Sequence, residues 1–409
     1  MARLRRRRER RSERVMSLPL DWLIIGGGVH GTYLSHALVQ RGGASPDRVR
    51  VLDPHPQPLD TFWRVTGATG MTYLRSPGVH HLDLDPYALR RFAKRGAGRR
   101  HARFVYPYDR PGLEFFRLHT EHVVREHRLD ARRERCRAHR IERTETGYRV
   151  ETDLGSLLTR RLVLAVGLAE QLCIPRWAQA LAAHAEARVH HIFAPSFRRE
   201  DLAGASSVAI VGGGISAAQL ACALAAAGTE VTVVARHEAR VHRFDSDPEW
   251  LGPRAMTGFT RTRDLAERRR QIAAARHRGS MPPEIASALR REARTGRVRW
   301  VEAEPLALDA KGDRVILQLD RPPHAVQADR VVLATGFDSH RPGGSLVDDA
   351  ALDRLGLRCA ACGYPVVSAH LEWGPGLFVS GPLAELELGP TARNIAGARA
   401  AAERLAGAA

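Results

Sequence analysis

Two copies of one strand, glycine turn, helix and strand unit, two later apolar strands that each run into a small-residue turn, and a length of 409 residues predict an α/β fold with two Rossmann-like dinucleotide-binding domains. At roughly 100–200 residues per domain the chain has room for two or three packed units, which excludes a small disulfide or zinc scaffold.

The first unit begins with the largely apolar run Leu20–Ile25, broken by Gly26-Gly27-Gly28, and continues into Thr32–Gln40, where Leu34, Ala37 and Leu38 recur at helical spacing. Arg41-Gly42-Gly43 stops that helix, and Arg48–Asp53 follows as a short strand ending in an acid. The same layout returns 186 residues later as Ser207–Val211, Gly212-Gly213-Gly214, an alanine-rich helix from about Ser216 to Ala227, Gly228 and the strand Glu230–Ala235. Each unit is followed by its own apolar strand and turn, Leu162–Gly167 and Val331–Gly336. This spacing makes the first domain discontinuous, with 17–200 and 337–409 forming one domain and 201–336 the other. Residues 60–120 and 240–300 interrupt the two halves, and the basic helical stretch Asp264–Arg294 reads as a solvated helix face.

The net charge of +18 invites a nucleic-acid or anionic-membrane partner. All but two of the 63 basic residues are arginine, Lys94 and Lys311 being the exceptions, which points to a compositional bias. Residues 1–15 hold eight Arg and two Glu, so a third of the excess sits in one like-charge block without an apolar face. Residues 1–16 are therefore expected to be a disordered basic arm, an extension ahead of a start at Met16. The apolar run Trp22–Ile25 ends at once in glycines and is too short for a signal peptide, and no run approaches the ~20 residues of a membrane span. Five scattered cysteines make no disulfide framework. The expectation is a cytoplasmic protein with no nucleic-acid or membrane partner, its oligomeric state left open.

Gly26-x-Gly28-x-x-Gly31 sits where a dinucleotide fingerprint belongs, directly after a strand and opening a helix. The first glycine allows the tight turn, the second lets a pyrophosphate approach the backbone, and the third lets the helix pack on the strand. Asp53 lies 22 residues beyond Gly31, at the place of the acid that binds a ribose hydroxyl. The second copy reads Gly212-x-Gly214-x-x-Ala217, with Gly213 inside the turn, and ends its second strand in Arg236-His237 instead of an acid. An acid would repel a ribose 2′-phosphate and a guanidinium would pair with it, so this site is expected to take NADPH, with Arg240 and Arg243 able to add to the anion site. Two sites of different preference imply two dinucleotides, FAD in the first and NADPH in the second, and a chain holding both can pass hydride from nicotinamide to flavin.

At this point the residues resemble the flavoproteins with two dinucleotide-binding domains, and among them the class B flavin monooxygenases of the lysine/ornithine N-hydroxylating type. The resemblance runs from about Asp21 to Leu405. Val332-Leu333-Ala334-Thr335-Gly336-Phe337 looks like the family's ATG-aromatic stretch, which places Thr335 and Gly336 near where the NADPH domain rejoins the FAD domain. Trp63 and Met71-Thr72-Tyr73-Leu74-Arg75 are similar to the segment whose tryptophan, glutamine and lysine lie along the flavin, with Thr72 in place of the glutamine and Arg75 in place of the lysine. Arg110-Pro111-Gly112-Leu113-Glu114-Phe115 is similar to the stretch before the helix that closes the family's FAD domain. The family's Asn-Pro-Phe-type substrate segment has no match, although Phe244–Trp250 occupies a comparable place. The amino-acid substrate therefore does not transfer.

Gly381 and Thr391-Ala392 precede a C-terminal alanine-rich helix. Thr391 reads as its N-cap, and a helix N-terminus aimed at the flavin would stabilise the charge of the reduced ring. Disulfide-reductase relatives carry Gly-Asp where this chain has Gly381-Pro382, which leaves the ribityl contact unassigned. Cys359-Ala360-Ala361-Cys362 is the competing signal, since two thiols at that spacing can relay electrons from a flavin. His80-His81 lies among acids, but neighbours on a strand face opposite ways, and no metal is expected there. No catalytic triad or carboxylate pair stands in a recognisable context, so no catalytic residue is assigned.

The resulting expectation is an FAD-dependent, NADPH-using oxidoreductase. The resemblance implies a monooxygenase that transfers oxygen from O2 to a small amine-like substrate through a flavin C4a-hydroperoxide. The alternatives are an NADPH-dependent disulfide reductase using Cys359 and Cys362, and a flavoprotein that binds a nucleic acid or membrane surface through its basic residues.

Overall fold

The computed structural model describes residues 19–182 and 188–407; the basic arm expected over 1–16 lies outside them. The chain opens with strand β1 (Leu20–Ile25), helix α1 (Val29–Gln40) and β2 (Val49–Leu52), followed by α2 (Asp60–Thr69) and α3 (Leu113–Glu126). A short β3 (Arg133–Glu134) and the meander β4 (Ala138–Thr144), β5 (Gly147–Thr152) and β6 (Gly155–Leu164) complete the first pass. The second unit comprises β7 (Val189–His191), β8 (Ser207–Val211), α4 (Ile215–Ala226), β9 (Glu230–Ala235), α5 (Leu265–Ala275), α6 (Pro283–Arg294) and β10 (Val298–Glu302). A three-stranded antiparallel meander, β11 (Pro305–Lys311), β12 (Arg314–Leu319) and β13 (Ala325–Ala328), leads into β14 (Arg330–Leu333). The chain then returns through β15 (Glu372–Gly374) and β16 (Leu377–Val379) to α7 (Ile395–Ala406).

Two sheets result, the first mixed and the second parallel throughout. In the first, the order is β15-β16-β6-β1-β2-β3, with β5 pairing β4 and β6, so strands from both ends of the chain share one sheet. The discontinuous first domain is thereby realised. In the second, all-parallel sheet the order is β10-β9-β8-β14-β7. Strands covered on both faces must be apolar throughout, which is why Trp22–Ile25 and Val208–Val211 are buried without alternation. The sheet also moves one boundary: β7 pairs with β14, so residues 189–191 belong with the second sheet, ahead of the change expected at 201.

The packing reason for the fingerprint is explicit. A Cβ on Gly31 would lie 1.7 Å from the carbonyl oxygen of Gly26, so α1 can cross β1 only without a side chain there. Gly26 (φ +107°) and Gly212 (φ +137°) both adopt backbone that side chains disfavour, and a Cβ on either would come within 2.5 Å of a carbonyl of the following apolar strand, Ala165 or Ala334.

The basic stretch Asp264–Arg294 departs from expectation. It forms α5 and α6, and Arg268, Arg269 and Arg276 turn inward instead of facing solvent. Arg269, Arg276 and Arg393 all bind the fully buried Glu385, and Arg268 pairs with Glu387 at 2.6 Å. Burial by itself would raise the Glu385 carboxyl, but the charges of Arg276, Arg393 and Arg269 overcome that and hold it at about 2. The clamp ties the second unit to the segment leading into α7. Arg110, also buried, makes a similar bond to Glu284 on α6 at 2.5 Å.

Candidate functional site

At the first glycine turn nothing lies within 4 Å of a Cβ on Gly28, which caps α1 without a side-chain bond, leaving room for an anion against the helix N-terminus. Asp53 ends β2 as expected, but its carboxylate is engaged. One oxygen accepts the N–H of Gly27 at 2.5 Å, the other accepts the N–H of His55 at 2.9 Å, and Arg133 stands 3.7 Å away. Arg133 arrives on β3, which pairs with β2, and its Nε is buried without a hydrogen-bond partner. Sequence reasoning missed it because nothing near Asp53 in the chain announces it.

His30, inside the fingerprint, was also missed. Its Nδ1 lies 2.8 Å from Ser380 Oγ, its Nε2 is buried and unpartnered, and desolvation lowers it to about 4, so it is neutral. Trp63 sits on α2, which starts beside the turn through the Leu59 N–H to Gly27 C=O bond, and its indole donates to Pro58 C=O at 3.2 Å.

The second turn is furnished differently. Gly279 lies 3.6 Å from a Cβ on Gly214, so the loop His277–Ser280 covers the turn. The His237 ring is wedged between Gly213 and Gly279, with Nδ1 2.7 Å from Glu238 C=O. Ala217 is fully buried under α4. Arg236 is exposed and has no carboxylate partner among the described residues, which leaves its guanidinium free for an anion. Trp300, on β10, brings an indole edge to within 3.6 Å of a Cβ on Gly213, and its Nε1 is buried and unpartnered. Thr335 and Gly336 hold the crossover: Thr335 donates to Cys173 C=O, and Gly336 C=O accepts the Cys173 N–H at 3.0 Å.

Between the two insertions lies a cavity of about 60 Å³, walled by Arg75 and His80 from the first, Phe244, Asp245 and Ser246 from the second, and Thr391 and Asn394 before α7. The unmatched Phe244–Trp250 segment thus does reach the cavity. Arg75 lines it, yet the guanidinium is committed to the second unit. It donates to the carbonyls of His242 (2.8 Å) and Phe244 (2.6 Å) and to Ser280 Oγ (2.9 Å), and pairs with Asp245 at 3.1 Å. Arg75 is a clamp between the two insertions. Desolvation, with Arg399 and His81 adding to it, lowers His80 to about 4, so the wall carries a neutral imidazole. His80 and His81 lie in an irregular, bent stretch and not on a strand, and His81 packs inward against His119. Among the described residues no group of three or more His, Cys, Asp or Glu side chains is placed to hold a metal.

Thr391 is not the N-cap of the C-terminal helix. Pro390–Arg393 forms a 3₁₀ turn after Gly389 (φ +75°), which moves the cap to Asn394 and leaves Thr391 on the cavity wall. Ala392 is buried in the core, and Gly381 (φ +69°) lies against His30. Cys359 and Cys362 do not wall the cavity; they flank a turn in which Arg341 reaches Cys359 Sγ at 3.4 Å, and burial pushes the Cys359 thiol up. All five cysteines are free, and no helix among the described residues is long and apolar enough to cross a membrane.

Comparison with known proteins agrees with this architecture. Residues 23–169 match an FAD-NAD(P)-binding family model and residues 109–276 a pyridine nucleotide-disulphide oxidoreductase model. Compared by sequence with curated proteins, the chain matches none. In fold it is similar to ornithine hydroxylase from Pseudomonas aeruginosa, at 19% identity and a TM-score of 0.73 over 96% of this chain and 98% of that one. It is similar also to the ornithine N-hydroxylase of Kutzneria sp. 744, solved with reduced FAD, NADP+ and L-ornithine, at 16% identity and a TM-score of 0.74 over 94% and 98%. Bacillithiol disulfide reductase from Bacillus cereus is a more distant likeness, at 17% identity and a TM-score of 0.60 over 96% and 98%. The resemblance read from the residues thus holds at the level of fold: the chain has the two-unit architecture shared by these hydroxylases and, more loosely, by the reductase.

Proposed function

We propose that the chain is an FAD-dependent, NADPH-using monooxygenase that oxygenates a small amine-like substrate with O2, in a cytoplasmic setting. The observation that carries this reading is the repeated glycine turn, the first copy followed by Asp53 and the second by the unpaired Arg236, in a chain whose two insertions share one cavity. The orphaned Nε2 of His30 and the open space at Gly28 fit a dinucleotide at the first turn; Arg236 and the orphaned Nε1 of Trp300 fit one with an extra phosphate at the second. The hydroxylase whose structure holds FAD and NADP+ supports the assignment of the two cofactors.

Bound FAD, reduced by NADPH, supplies the oxygen activation. The protein's own residues set the stage for it. Arg75 ties the two insertions together at the cavity wall and so fixes their spacing. An amine reacts as a nucleophile only when unprotonated, and the neutral His80 gives the wall a hydrogen-bond partner that does not repel a cationic amine on entry. Asp245 is already paired with Arg75 and places no free carboxylate there to hold the amine in its charged form. The reductase alternative is disfavoured because neither Cys359 nor Cys362 walls the cavity and the Cys359 thiol is pushed away from its reactive thiolate.

The test is NADPH and O2 consumption across amines, amino acids and thioethers, scored for hydroxylated product. A hydroxylamine from at least one amine is expected. Peroxide release alone with every amine, or NADPH consumption that requires a disulfide and is lost on Cys359→Ser, would overturn the reading.

A further inference from the structure

The first glycine turn carries a side chain that neither the helix nor the core needs. His30 stands one residue before Gly31, so α1 lifts its ring off the strand and toward the C-terminal return of the chain, where the ring meets Ser380 and Gly381. A Cβ on Gly381 would lie 3.7–3.8 Å from three ring atoms, and Ser380 Oγ is 2.8 Å from Nδ1. The backbone of Arg393 and Asn394, leading into α7, makes weak hydrogen bonds with the ring that work against the effect of burial, and Asn394 is on the cavity wall. The ring therefore lies where the glycine turn, the Ser380-Gly381 segment and the start of α7 converge.

Its Nε2 is shut away from solvent and meets no partner at close hydrogen-bond geometry. An unmade hydrogen bond on a buried polar atom costs about 1–3 kcal/mol, and a phenyl or aliphatic side chain would fill the space without that cost. In a neutral imidazole one nitrogen donates and the other accepts. With the Ser380 hydroxyl donating to Nδ1, the proton sits on Nε2, which leaves a buried donor in the first turn of the helix that opens at the glycine turn.

We propose that His30, oriented by Ser380, is an FAD-contacting residue whose Nε2–H donates a hydrogen bond to an oxygen of the bound nucleotide. The inference rests on the reading of the first turn as the FAD site and goes beyond it. It assigns the polar contact there to a histidine inside the fingerprint and a serine on the returning strand end.

The experiment titrates apoprotein with FAD, following quenching of flavin fluorescence and the shape of the bound flavin's visible spectrum, for wild type, His30→Ala, His30→Gln and Ser380→Ala. NADPH binding to the same apoproteins reports whether the fold survives. The expected result is about tenfold weaker FAD binding in His30→Ala, the equivalent of one lost hydrogen bond, partial recovery in His30→Gln, which keeps a donor, and a smaller loss in Ser380→Ala, with NADPH binding unchanged in all three. Wild-type FAD affinity and spectrum in both His30 variants would overturn the proposal. So would FAD and NADPH binding falling together in all three variants, which marks a purely structural histidine. A wild-type protein that binds no FAD would remove the site reading itself, an outcome distinct from these.

Discussion

At the first glycine turn the space beside Gly28 is open and Asp53 grips the N–H of Gly27, whereas at the second Gly279 covers Gly214 and the exposed Arg236 faces no carboxylate. The backbones are near copies: a positive-φ first glycine against the following strand's carbonyl, a helix opening at the third glycine of the triplet, and a parallel partner strand. What separates them is the strand-end residue, Asp53 or Arg236, and side chains brought from elsewhere in the chain. Arg133 and Ser380 furnish the first, Gly279 and Trp300 the second. The backbone of the unit is repeated, while the residue ending its second strand and the neighbours gathered around the turn differ.

The comparison breaks most visibly at the third fingerprint position. Gly31→Ala puts a Cβ 1.7 Å from a backbone oxygen and is expected to cost several kcal/mol, seen as loss of cooperative thermal unfolding or of FAD binding. The reciprocal Ala217→Gly in the second unit should cost only about 1 kcal/mol. Next in size, Arg236→Ala should raise the Michaelis constant for NADPH roughly tenfold or more while leaving that for NADH nearly unchanged. Equal effects on both would refute the phosphate assignment.

A smaller effect is expected from Arg75→Ala, which releases the 242–245 segment and Ser280 from the first domain. FAD should stay bound while its reduction by NADPH slows several-fold, because placement of the nicotinamide and not flavin affinity depends on the clamp. Acid should act on the first domain before the second. His30, His36, His80 and His81 are lowered to about 4 and His119 to about 3, chiefly by desolvation, against His191 on the second sheet among the described residues. Each is neutral when folded and takes up a proton on unfolding below pH ~6.5, so stability is full above that value and falls as pH drops toward 4. Each contributes on the order of 1 kcal/mol per pH unit in that window. Thermal unfolding followed by flavin release between pH 7 and 4.5 checks this, and a pH-independent midpoint would contradict it.

The repeated unit was legible because its signals are local: apolar runs, glycines at fixed spacing and an acid or arginine at a strand end. Observed strands and helices fall within a few residues of those expected, Val29–Gln40 for Thr32–Gln40 and Ile215–Ala226 for Ser216–Ala227. The misses are long-range. Arg268, Arg269 and Arg276 look like a solvated face until Glu385 and Glu387 fold onto them. Arg133, which reaches Asp53 from a neighbouring strand, has no signal near Asp53 in the chain. Thr391 reads as a cap until Gly389-Pro390 turns the chain and hands that place to Asn394. His30 was the exception, a polar residue at a position where the fingerprint asks for none, and that oddity was readable from the sequence.

Anaerobic mixing of the purified, FAD-loaded protein with NADPH or NADH tests the central claim most directly. One FAD per chain, bleached by one equivalent of NADPH and at least tenfold faster than by NADH at equal subsaturating concentration, is the predicted result. A protein that retains no FAD, or a bound flavin reduced equally fast by either nicotinamide, would contradict it.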